Sequence, residues 1–138
     1  VQQEAKSEKI RNFRDLVAWQ KAMLFAREVY QATRSFPKEE VYGLTSQMRR
    51  AAVSIASNIA EGQSRQSRGE FLQSIGHARG SLAELETQSI LAADLGFLDV
   101  NSQEPLTNLI AEVGRLLNGL RSSLMSKSTK IEPAISTT

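Results

Sequence analysis

Between Phe36 and Gly62 the chain reads FPKEEVYGLTSQMRRAAVSIASNIAEG. From Leu44 to Glu61 no proline or glycine interrupts it, and Leu44, Met48, Ala51, Ile55 and Asn58 return at steps of three and four. Ala52, Ala56 and Ile59 widen that stripe. Such a period defines a helix with one buried face. Small side chains dominate the face, so another helix can approach closely. Glu39 and Glu40 fit a short turn after Pro37, and Gly43 marks a break. Thr45 or Ser46 then offers an N-cap oxygen. Gly62 is a natural C′ residue, because glycine turns left-handed without steric cost. A helix of this kind needs partners, and the rest of the chain supplies them.

Three further segments carry the same period. The first is expected from Asp15, as N-cap, to about Ser35. Its stripe is Leu16, Trp19, Met23, Ala26, Tyr30 and Thr33, flanked by Ala22, Phe25, Val29 and Ala32. It should end before Phe36-Pro37, since proline disfavours helix in the residue ahead of it. The third begins near Ser67, with Glu70 completing a capping box. Phe71, Ile75, Ala78, Leu82, Leu85 and Ala92 form its face. Gly76 and Gly80 sit inside it and cost up to ~1 kcal/mol each relative to alanine, which points to a close helix crossing. Gly96 should stop it, with Phe97 and Leu98 folding back. The fourth starts near Asn101 or Ser102, tolerates Pro105 in its first turn, and shows a broad face from Leu106 to Leu124.

No segment alternates with period two, so no sheet is expected. The fold class is all-α, an antiparallel up-down-up-down four-helix bundle. The bundle domain should span residues 13–126, between a flexible basic N-terminal arm (1–12) and a disordered C-terminal tail (127–138). With 138 residues, 41% hydrophobic and 23% charged, the chain reads as one soluble domain. It has no cysteine, so disulfides and thiolate metal sites are excluded. No apolar run approaches the ~20 residues that span a bilayer, and the polar start is unlike a signal peptide. The expected compartment is the cytoplasm. A net charge of +2 is by itself a weak hint of an anionic partner.

Catalytic chemistry finds little support. His77 is the single histidine, and neither a zinc-helix nor a di-iron helix spacing surrounds it. Ser54 and Ser57 lack a nucleophile elbow and a nearby base, and read as small packing residues beside Asn58 and Glu61. No catalytic residue, metal ligand, cofactor or small-molecule substrate is assigned. Candidates for nucleic-acid binding are Arg49, Arg50, Arg65, Arg68 and Arg79, because a guanidinium matches phosphate geometry. Arg49 and Arg50 have a second reading, as ties to Glu61, Glu84 or Glu86. Arg65 and Arg68 lie beside a helix N-terminus, where free N–H groups favour anions, or else in a solvated loop. Lys6, Lys9, Arg11 and Arg14, with Lys127 and Lys130, make the two ends basic. The apolar arcs of the first and fourth helices look wider than one seam requires, which points to self-association. Trp19, Phe25, Tyr30, Leu117 and Leu124 are the candidates for that interface.

Three stretches carry a family likeness: FRDLVAWQKA from Phe13, the run from Phe36 to Gly62, and GEFLQSIGHARGSLAELETQ from Gly69. Together they resemble the four-helix-bundle family of the 23S rRNA intervening-sequence proteins. The likeness fades after Leu98. It implies a bundle that assembles as a homopentameric ring. It also implies kinship with the accessory variability determinants of diversity-generating retroelements, which bind a reverse transcriptase and nucleic acid. The expected function is therefore a non-enzymatic, ring-forming scaffold for RNA or a nucleic-acid-processing partner. The alternative is a protein–protein scaffold without nucleic-acid contact.

Overall fold

The computed structural model describes residues 12–137, with side chains to residue 126. The expected basic arm, with Lys6, Lys9 and Arg11, lies outside the described residues. So do the side chains of the expected tail, including Lys127 and Lys130.

The described residues form four α-helices: α1 (Val17–Thr33), α2 (Leu44–Ser64), α3 (Arg68–Asp94) and α4 (Val100–Thr137). A 3-10 turn, Phe13–Asp15, precedes α1. Asn12 starts that turn, its Oδ1 accepting from the Arg14 amide at 2.8 Å. Asp15 therefore belongs to the turn and is not the N-cap of α1; Leu16 holds that position, with an extended backbone and no side-chain cap. The edge-on contact of Phe13 with Trp19, 5.2 Å between centroids, folds the turn over the start of α1.

α2 begins where expected, but neither Thr45 nor Ser46 caps it. Glu40, in a second 3-10 turn (Lys38–Glu40), accepts from the Leu44 amide at 3.0 Å through Oε1. The helix also runs through Gly62 to Ser64, so Gly62 is not a terminator. A Cβ there would lie 2.7 Å from Ser74 Cβ and 2.9 Å from Phe71 Cδ1. Close approach of α3, not a left-handed turn, demands glycine at this position.

The two ends of α3 match expectation. Ser67 Oγ accepts from the Glu70 amide and donates to Glu70 Oε1, both at 3.1 Å. At the other end Gly96 has φ +83°, the Phe97 amide reaches Ala92 O at 2.8 Å, and the Gly96 amide reaches Ala93 O at 3.0 Å. This is a Schellman closure, which only glycine adopts without strain. Gly76 and Gly80 do not mark a crossing within the protomer: a Cβ at either would meet nothing within 4 Å. α4 starts at Val100, helped by Asp99, whose Oδ1 accepts from the Ser102 amide at 2.8 Å.

Each helix packs on two neighbours: α1 on α2 and α4, and α3 on α2 and α4. Among the described residues neither diagonal pair of helices packs backbone to backbone, so the helices form a four-cornered, antiparallel bundle. A helix at such a corner buries two seams, which explains the wide apolar arcs of α1 and α4. Phe25, Met48, Ile55, Ile59, Ile75, Leu85, Leu106 and Leu117 are fully buried at the centre. Each side chain of this size contributes roughly 1.5–3 kcal/mol by leaving water. Phe25, Leu117 and Leu124 are thus core residues of one protomer and offer no surface to another copy. Trp19 is half-buried, and Tyr30 remains exposed.

Candidate binding site

The α1–α2 and α3–α4 connections meet at one end of the bundle, where the Phe36 and Phe97 rings lie 5.6 Å apart. This loop end concentrates the unusual surface of the molecule. Val41, Tyr42, Leu95 and Val100 are 51%, 92%, 55% and 77% exposed. Ile90 and Leu91, in the last turns of α3, are exposed as well. The antiparallel pairing of α2 with α3 sets their level. Ser54 bonds Ser81 at 2.9 Å, and Gln47 faces Gln88, so Leu91 lies beside the start of α2.

Beside these residues opens a cleft of about 480 Å³, lined by Thr33, Arg34, Phe36, Pro37, Lys38, Val41, Thr45 and Arg49. Its floor is apolar and its rim carries three cations. The helix ends explain the placement: Arg34 is the C-cap of α1, Lys38 opens the 3-10 turn after Pro37, and Arg49 sits in the second turn of α2. Arg49 is fixed. Its Nε donates to Thr33 Oγ1 at 2.8 Å, its Nη2 donates to Tyr30 O at 3.3 Å, and the guanidinium lies 4.5 Å from the Tyr30 ring centroid. It ties α1 to α2, as the second reading held, but through a hydroxyl, a carbonyl and a ring in place of Glu61, Glu84 or Glu86. Arg34 and Lys38 are exposed and form no ion pair among the described residues.

The other candidate arginines do not converge on this cleft. Arg50 lines a separate polar groove between α2 and α3, with Gln47, Ser54, Ser81 and Glu84, and makes no ion pair there. Arg65 lies at the opposite end, bonded to Glu61 Oε2 at 2.7 Å. Arg68 opens α3 and Arg79 is exposed further along it. Eleven residues separate them, three turns, so they share a face about 16 Å apart along the axis. His77 is exposed on α3. Among the described residues no three of His, Cys, Asp or Glu gather as metal ligands would. Nor is any described helix long and apolar enough to cross a membrane. Among the described residues one buried acceptor, Gln88 Oε1, has no partner, while the Gln88 amide nitrogen makes long bonds to Gln47 and Glu84.

Sequence reasoning missed Arg34 and Lys38. The available signal was two cations bracketing Phe36-Pro37, followed at once by the apolar pair Val41-Tyr42.

The fold and this surface define a class: an all-α up-down bundle with a cationic cleft at its loop end. The chain belongs to the 23S rRNA-intervening sequence protein family, whose sequence profile matches residues 14–119. A crystal structure of a protein with unknown function, from the S23 ribosomal protein family of Bacteroides thetaiotaomicron, is similar in fold. Its TM-score is 0.70 at 24% identity, covering 77% of this chain and 96% of that one. Comparison with curated proteins gave no match.

Proposed function

We propose that this protein is a non-enzymatic, self-associating helical scaffold that presents basic residues to RNA or to a nucleic-acid-processing partner. One observation carries the self-association. Tyr42, Leu91, Leu95 and Val100 leave apolar surface in water at the loop end. Exposed groups of this kind usually mark an interaction surface. A second copy is the simplest cover, and closed symmetry is the usual outcome. The ring of the related bundles is one such closure. Val17 and Tyr30 on α1 and Met125 on α4 are exposed too, and the loop end carries the larger group.

Arg68 and Arg79 support the RNA contact, because they share one face of α3 and neither forms an ion pair among the described residues. Two guanidiniums alone bind weakly, and repetition around an assembly multiplies the contact through effective concentration. The test is titration with a structured RNA at rising salt, on the wild type and on Arg68→Glu/Arg79→Glu. Affinity should fall with salt, as counterion release requires, and should drop in the variant with the particle mass unchanged. Absence of binding at low salt, or indifference to salt, refutes the RNA contact.

A protein–protein scaffold without RNA is the second reading. The cationic, apolar-floored cleft favours it.

A further inference from the structure

We propose that the cleft between the end of α1 and the start of α2 is a docking site for an acidic, apolar peptide segment of a protein partner. The proposal is independent of the RNA contact and would stand if that contact were absent.

Two properties of the cleft define the occupant. First, the rim is uniformly cationic: Arg34, Lys38 and Arg49 line it, and no carboxylate does. Arg49 is already held by Thr33 and Tyr30, with N–H groups left over, so its guanidinium is presented in a fixed position. A carboxylate meeting a fixed guanidinium loses little freedom in doing so, and charge-assisted bonds are the stronger kind. Second, the floor is Phe36, Pro37 and Val41. Val41 is half-exposed, and its side chain is left in water by the protomer. Thr45 also lines the cleft, and its hydroxyl can exchange a hydrogen bond with an incoming main chain.

RNA fits this combination poorly. A phosphodiester would meet the cations but leave the aliphatic floor bare. A base needs an open ring to stack on, and the lining ring, Phe36, is 7% exposed and packed on Phe97. An acidic residue beside leucine, isoleucine or phenylalanine supplies both halves. The carboxylate sits among the cations, and the apolar side chain covers Pro37 and Val41. The main chain brings an N–H or C=O to Thr45. This is complementarity of charge and of apolar surface in one short segment.

The test uses the full chain, labelled with nitrogen-15. The probe is an octapeptide of alternating glutamate and leucine, with a glutamate–glycine octapeptide and oligouridine of equal charge as comparisons. The expected result is saturable shifts of the Lys38, Val41 and Thr45 amides with the glutamate–leucine peptide, and weaker binding of both comparisons. Arg34→Glu/Lys38→Glu should weaken the peptide by about tenfold or more, since both residues are exposed and reverse the rim charge. Circular dichroism and particle mass should match the wild type. Three results would overturn the proposal. One is no saturable shift at these amides. Another is equal or tighter binding of oligouridine or of the glycine peptide, which would make the cleft a general anion site. The third is a changed particle mass in the double variant, which would mean that another copy of the chain fills the cleft.

Discussion

Replacing Gly62 by alanine puts the α2–α3 crossing to a quantitative test. Alanine is the better helix former by about 1 kcal/mol, so propensity alone predicts a more stable protein. The new methyl, however, would sit 2.7 Å from Ser74 Cβ and 2.9 Å from the Phe71 ring. Carbon–carbon contacts settle at about 3.5–4.0 Å. The Phe71 ring can swing aside, but Ser74 Cβ is fixed to the α3 backbone, so the helices must separate by roughly an ångström. Overpacking of this severity costs about 2–3 kcal/mol. The net expectation is a loss of about 1–2 kcal/mol, or about 3–7 °C in melting temperature for a domain of this size. Gly80→Ala is the control. Its methyl enters open space, so it should gain about 1 kcal/mol. Thermal and urea melts at one fixed protein concentration read both variants, because assembly makes apparent stability concentration-dependent. A Gly62→Ala protein as stable as the wild type would refute the close crossing and the placement of α3 that follows from it.

Arg49→Ala removes two hydrogen bonds and a ring contact between α1 and α2, and should cost about 1–2 kcal/mol in urea melts. Arg50→Ala, one residue on and free of such ties, should stay within about 0.5 kcal/mol of the wild type. Ser67→Ala deletes the α3 N-cap and should lower stability by about 1 kcal/mol in the same assay. A double-mutant cycle on Lys21 and Glu112, 3.2 Å apart and part-exposed, should give a coupling under about 1 kcal/mol that fades with salt.

What the sequence disclosed depended on whether the cause was local. The Ser67 cap and the Gly96 closure involve residues within a few positions of each other, so pattern alone located both ends of α3. Gly62 reads as a terminator in the sequence because a terminating glycine and a close-contact glycine look alike until Ser74 is placed opposite it. Asp15 and Thr45 are good cap residues by type. The chain instead uses a preceding 3-10 turn in each case, with Asn12 starting one and Glu40 closing the other. The apolar arcs of α1 and α4 were legible, but their meaning was not. Whether a wide arc faces a second neighbour helix or another subunit depends on the bundle's cross-section, and here α1 packs on both α2 and α4. The site was the least legible part. Arg49 finds its partners on Thr33 and Tyr30, a helix away, and they are not the carboxylates that a charge-based search looks for. Arg34 and Lys38 become a site only when the α1–α2 turn folds them around Phe36, Pro37 and Val41.

Sedimentation of the full chain at micromolar concentration, beside Leu95→Glu/Val100→Glu, most directly probes the claim that the loop end joins copies together. Both substituted residues are more than half exposed, so the variant should keep its helical circular dichroism. The wild type should run as a multiple of the protomer mass and the variant as the protomer. A wild type with the mass of one chain across the concentration range, or a variant that assembles undiminished, would contradict the account.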